Sequence, residues 1–127
     1  MSQTRVFFYQ DSPGDIPVLD WLRGLRARNE GAYAKCVARI HRLAALGHEL
    51  RRPEADFLRD GIYELRVKRG HVNYRVLYFF HGKEVAILGH ALTKEGKVPA
   101  VDIERAIGRR AKLRAHPTTH IYEEDLS

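Results

Sequence analysis

A chain of 127 residues, 44% hydrophobic and 30% charged, holds one core: too short for two self-sufficient domains and too apolar for a disordered polymer. No apolar run of about 18 residues is present to cross a bilayer as a helix. The opening MSQTRVFFYQDSPGD lacks the basic start, apolar centre and small-residue cleavage site of a secretory signal, so a cytoplasmic protein with no membrane role is expected.

The only cysteine, Cys36, excludes an intramolecular disulfide and a cysteine-based zinc cage, and its place on an apolar helical stripe points to packing. A net charge of +6 favours a polyanionic partner such as nucleic acid. Residues 115–127 carry Glu123, Glu124 and Asp125 and no Lys or Arg, so the basic character belongs to a domain over residues 1–114. The acidic tail is expected to be loosely held.

Residues 4–9, TRVFFY, are β-branched and aromatic and end at the turn cluster DSPGD, which predicts a first strand. Asp15 is placed to cap a helix starting near Pro17, with Val18, Leu19, Trp21, Leu22 and Leu25 at helical spacing. A second helix is expected over 30–46, burying Tyr33, Cys36, Val37, Ile40, Leu43 and Ala44 and closed by Gly47. Arg39, Arg42, His41 and His48 lie off its stripe and read as a solvated face.

After the connector HELRRPEADFLRD, three strands are expected over 62–69, 73–80 and 84–92. Gly70-His71 offers a type II′ hairpin turn and His81-Gly82-Lys83 a second tight connection, giving an antiparallel meander. A last helix starts near Pro99 with the stripe Ile103, Ala106, Ile107 and Leu113. The expected fold is α+β: a four-stranded antiparallel sheet in the order β-α-α-β-β-β-α, helices on one face and the other face open.

A turn centred on Gly70 and His71 sets Arg66 opposite Arg75 and Leu65 opposite Val76. Alternation then puts Glu64, Arg66, Lys68 and Arg75 on one face, and Tyr63, Leu65, Val67, Tyr74, Val76 and Tyr78 on the other. Directly opposed like charges destabilise a sheet, so Arg66 and Arg75 call for a counter-charge, which Glu64 supplies, or for an anionic ligand. Two readings follow: a salt-bridge ladder on a solvated face, or a cationic surface that grips phosphate.

The loop TKEGKVP carries Lys94 and Lys97 beside a helix start, as plain loop lysines or as anion contacts. His90 is either packed or a proton-transfer group. No Walker loop, GxGxxG or GxSxG motif is present, and His116 and His120 stand without further metal ligands nearby.

The blocks DGIYELRV, YRVLYFF, ILGHALTKEGKVP and DIERA, in that order, resemble the RelE/HigB branch of type II toxins, especially its phage-derived group. The resemblance covers about residues 57–110. It implies a RelE-like fold and a metal-independent, cofactor-free endoribonuclease that cuts messenger RNA, often on the ribosome. Attack by a 2′-hydroxyl then gives a 2′,3′-cyclic phosphate. It also implies a helix-turn-helix antitoxin as partner, with operator DNA reached only through that antitoxin.

Carried over by position, Arg66 matches a basic residue on the sheet face, Arg75 matches the next-strand arginine that contacts the scissile phosphate, Lys94 falls near the basic residue that assists the leaving oxygen, and Lys97 supports phosphate binding. Glu64 orients the arginines or acts as base, and His90 is a proton-transfer candidate. Lys68, Arg69 and Tyr78 complete the substrate-binding set. Glu64 and Glu95 stand where better-studied members carry lysines, so the base is unassigned. Two other functions remain open: a ParE-like gyrase inhibitor, which shares the fold, and a non-catalytic module that binds nucleic acid or an antitoxin.

Overall fold

The computed structural model describes residues 3–126. Strand β1 (Arg5–Tyr9) leads into helices α1 (Pro17–Arg28) and α2 (Glu30–Leu46) and a 3₁₀ turn (Gly47–Glu49). Strands β2 (Ala55–Arg59), β3 (Ile62–Arg69), β4 (Val72–Phe80) and β5 (Val85–Thr93) follow, then α3 (Ala100–Ala115), a single-turn α4 (Pro117–His120) and the two-residue β6 (Ile121–Tyr122).

The fold is α+β, but the sheet has six strands and is mixed, in the order β2-β3-β4-β5-β1-β6. The expected four-stranded antiparallel sheet is corrected on three points. β1 runs parallel to β5, with Phe7 beside Ile87 and Phe8 beside Leu88. The chain doubles back at each connection between these strands, and an even number of reversals leaves them pointing the same way. β2 emerges from the supposed connector, where short length and flanking charges hide a strand that needs only one partner.

The tail, too, departs from the expectation. β6 pairs antiparallel with β1, the Gln10 N–H donates to the His120 carbonyl at 2.9 Å, and Leu126 is buried in the core. The segment expected to be loose covers what would otherwise be a bare edge of β1.

The helices do not share one face. α1 and α2 pack on Phe8, Leu65, Val67, Tyr74, Val76, Tyr78 and Leu88 through Leu19, Leu22, Leu25, Cys36, Ile40 and Leu43. On the opposite face α3 lays Ile103, Ala106 and Leu113 on Tyr9, Ile62, Leu77, Phe79 and Ile87. The reason is legible in β4: Val76 to Phe80 is a continuous apolar run, the pattern of a strand buried on both sides. Among these side chains Cys36 is inert, since burial pushes its thiol up to about 11.

α1 is capped otherwise than expected. Ile16, not Asp15, is the cap residue, and Asp20 reaches back to accept from the Ile16 N–H at 3.3 Å. At the start of α2 the Asn29 side chain accepts from the Ala32 N–H at 3.1 Å. Asn29→Ala is therefore expected to cost about 1 kcal/mol, read as a lowered urea midpoint with unchanged slope.

The Gly70-His71 hairpin has the expected register, with Arg66 opposite Arg75 and Leu65 opposite Val76. Gly70 takes φ +62°, which a side chain at the first central position would resist. A bulge occurs one strand further on. Leu77 pairs with His90 and Tyr78 with Leu88, leaving Gly89 as the extra residue.

Candidate functional site

α3 covers only part of its face of the sheet. Beyond Ile62 and Leu77 the same face continues as Glu64, Arg66 and Arg75, which line an open cavity of about 530 Å³. Arg59 and Phe57 from β2 and Gly96, Lys97 and Val98 from the loop after β5 complete its walls.

Glu64 and Arg75 form the floor. They are 4% and 7% exposed, and the Arg75 Nη1 donates to Glu64 Oε1. Arg75 also donates from Nε to the Lys94 carbonyl at 3.3 Å and from Nη2 to the Gly96 carbonyl at 2.6 Å. One guanidinium thus ties β3, β4 and the following loop together. Gly96, at φ +73°, turns its carbonyl into this contact in a backbone conformation that side chains disfavour.

Pairing with Glu64 neutralises Arg75 and relieves its repulsion with Arg66 across the strands. Arg66 is held by its backbone instead. Its N–H donates to the Glu54 carbonyl at 2.9 Å, and its own carbonyl accepts from Arg39 Nη1. Among the described residues Arg66, Lys68, Lys94 and Lys97 take part in no salt bridge. Arg66 and Lys97 both line the cavity, so two uncompensated cations stand over a buried, neutral ion pair.

Lys94 enters the site through its backbone, its side chain exposed at the rim. Lys68 lies on the Arg66 face but lines an adjoining cleft of about 330 Å³ with Arg39, Asn73 and Arg75. Arg69 is on the other side of the sheet, where its guanidinium lies over Gly31 at the start of α2; it does not join the cavity. Tyr78 is 1% exposed in the α1–α2 core and stacked on Tyr63, which removes it as a substrate contact. Burial also raises its phenol above the ordinary tyrosine range.

His90 is likewise drawn away from the cavity. The Gly89 bulge turns it toward α3, where Nε2 lies 2.6 Å from Asp102 Oδ1 and Nδ1 lies 3.2 Å from Arg109 Nη1. Arginine only donates, so Nδ1 accepts and the ring proton sits on Nε2, donated to Asp102. Burial holds the imidazole below its usual pKa, helped by Arg109 and Arg105 and opposed by Asp102. His90 is a neutral strut between β5 and α3, not an open proton carrier.

A folded-state pKa below the unfolded value means that the unfolded chain binds the extra proton. The contribution is present above about pH 6.5 and is lost as pH falls through the depressed folded value. Melting temperature should therefore drop on acidification below about pH 6.5, and more steeply in the wild type than in His90→Gln. Parallel profiles for the two proteins would refute the assignment.

Several participants escaped sequence reading. Asp102 and Arg109 pin His90, while Arg39, Arg42 and Glu54 clamp α2 to the β2–β3 edge, with Arg42 Nε and Nη2 on the Glu54 carboxylate at 2.8 and 2.9 Å. Arg42 holds Glu54 below the usual carboxylate range. Arg59 meets Asp60 and Glu104 at 2.6 and 2.7 Å on the cavity wall. Only the mixed charge of these segments hinted at such pairing.

Among the described residues no helix is long and apolar enough to cross a membrane. A search of curated proteins finds no match. The family model described as "Phage derived protein Gp49-like (DUF891)" matches residues 20–111, from α1 through most of α3 and including every wall of the cavity. With well over half its length matched, the chain belongs to the Gp49-like family of phage-derived proteins.

Proposed function

We propose that this protein is the toxin of a toxin–antitoxin pair and that it cleaves messenger RNA at the cavity between β3, β4 and the loop after β5. The Gp49-like family is associated with toxins of such systems, which supports the first part. The observation that carries the second is Arg66, whose guanidinium takes part in no salt bridge among the described residues and which lines the same cavity as the buried Glu64–Arg75 pair and Lys97.

In this reading the 2′-oxygen of a ribose attacks the adjacent phosphorus, and the bond from phosphorus to the 5′-oxygen breaks. The products are a 2′,3′-cyclic phosphate and a free 5′-hydroxyl. The 2′-hydroxyl proton leaves to a base and the leaving oxygen gains one. Arg66 stabilises the charge that builds on the non-bridging oxygens, and Lys97, with Lys94 at the rim, is assigned to the leaving oxygen. Arg75 is a positioning residue: its hydrogen bonds to the Lys94 and Gly96 carbonyls hold the lysine loop in place.

The partners in this reading are a helix-turn-helix antitoxin and messenger RNA, on the ribosome, in the cytoplasm. The test incubates purified protein with messenger RNA in EDTA, with and without ribosomes, and maps the new ends. Cyclic-phosphate and 5′-hydroxyl ends are the expected result. Intact RNA in both settings, together with a DNA-damage response on induction, would transfer the protein to the gyrase-inhibitor class.

A further inference from the structure

A second cavity, of about 490 Å³, lies across the edge strand β2 from the first. The two share Asp56 and Phe57, so a chain leaving one enters the other over the Phe57 ring. Phe57 is 53% exposed. It is the outermost ring of an aromatic array: Phe57 packs edge-on against Tyr63 at 5.2 Å, and Tyr63 stacks on Tyr78 at 5.4 Å. At the far wall His48 stacks on Phe80 at 3.6 Å.

Arg51 and Arg52 flank the ring, both exposed. Arg52 reaches Asp56 at 3.0 Å, while Arg51 takes part in no salt bridge among the described residues. An exposed ring between cations is the arrangement that binds single-stranded nucleic acid, with bases stacked on the ring and phosphates on the arginines.

A protein strand added to the edge is the rival occupant, and the backbone argues against it. The N–H groups of Ala55 and Phe57 are already taken, by the Arg51 carbonyl at 3.1 Å and by Asp56 Oδ1 at 2.9 Å. A register shift between Phe57 and Arg59 bends the strand further. With those donors occupied, β2 cannot offer the regular ladder that an incoming strand needs.

We infer that this cleft is a nucleotide-binding subsite, in which Phe57 stacks a base and Arg51 holds a phosphate of the RNA strand that extends from the cleavage cavity. The inference rests on the RNA-cleaving reading and names where that substrate continues.

The probe is a fluorescein-labelled 2′-O-methyl RNA of about ten nucleotides, which lacks the attacking hydroxyl and stays intact. Phe57→Ala should weaken its binding by about 5- to 100-fold, whereas Phe57→Tyr and Phe57→Trp should retain it. Arg51→Ala should lower the salt dependence, reducing the slope by about 0.7. Because Phe57 is exposed, its variants should keep the wild-type melting temperature.

Unchanged affinity in Phe57→Ala, with cleavage still dependent on Arg66, would overturn the subsite and leave the nuclease reading standing. Binding that depends on Phe57, in a protein that cuts no RNA, would do the reverse. If Phe57→Ala spares RNA binding but abolishes capture of the antitoxin encoded beside the gene, the surface docks protein and the inference fails. A wild type that does not bind the probe also overturns it.

Discussion

Glu64→Ala is expected to destabilise the fold by about 3–5 kcal/mol, the largest effect of any single surface-lining substitution in the cavity. The variant leaves Arg75, a residue only 7% exposed on the cavity floor, without its counter-charge. Urea denaturation of the two proteins measures the difference directly. The pair Glu64→Leu with Arg75→Met should recover most of the loss, because replacing both charges removes the desolvation cost that breaking one exposes. A Glu64→Ala protein within about 1 kcal/mol of wild type would mean that the pair behaves as an ordinary surface salt bridge.

The double variant separates architecture from chemistry. It should fold, yet lose the hydrogen bonds from Arg75 to the Lys94 and Gly96 carbonyls that hold the lysine loop. Faster amide exchange confined to residues 94–97 is the expected signature.

Arg66→Ala is expected to cut RNA cleavage by about 100- to 1,000-fold, the usual loss when one donor to a transition-state oxyanion is removed. Its melting temperature should stay near the wild-type value, since the Arg66 guanidinium makes no salt bridge among the described residues and only its backbone supports the sheet. Arg66→Lys should restore part of the activity, keeping the charge but losing the planar fork. On the proposed toxin reading, induction of the wild type without antitoxin should arrest growth and induction of Arg66→Ala should not. Undiminished cleavage by a folded Arg66→Ala protein would remove this arginine from the mechanism.

Much of the site was legible because period-two alternation is a strong local rule. The turn at Gly70-His71 set the register, and from the register Arg66 fell opposite Arg75 with Glu64 on the same face, as the structure has it. Both readings of those charges contain part of the outcome. Glu64 and Arg75 are the structural pair, buried rather than solvated, and Arg66, like Lys97, takes part in no salt bridge among the described residues. Which arginine would take which part depended on the loop from Lys94 to Gly96, whose carbonyls claim Arg75.

His90 shows where alternation fails. Counting along β5 from Ile87 would turn it toward α1 and α2, but the Gly89 bulge adds one residue and sends it to α3. Nothing in ILGHALT marks that bulge except a glycine, which occurs in strands for several reasons. For Tyr78 alternation holds: it falls on the helix side with Tyr74 and Val76, where it is 1% exposed and out of reach of a substrate.

By itself the sequence determined the local elements: the three long helices, the three long strands, the central hairpin and its register. These follow from side-chain spacing and turn chemistry within a few residues. Tertiary structure alone decided the parallel pairing of β1 with β5, the capture of the tail by β1, and the placing of α3 opposite α1 and α2. Those choices join segments far apart in the chain, through burial of two apolar sheet faces that no local pattern orders. Because α3 covers only part of the second face, the charges beyond it line an open cavity instead of lying within the core.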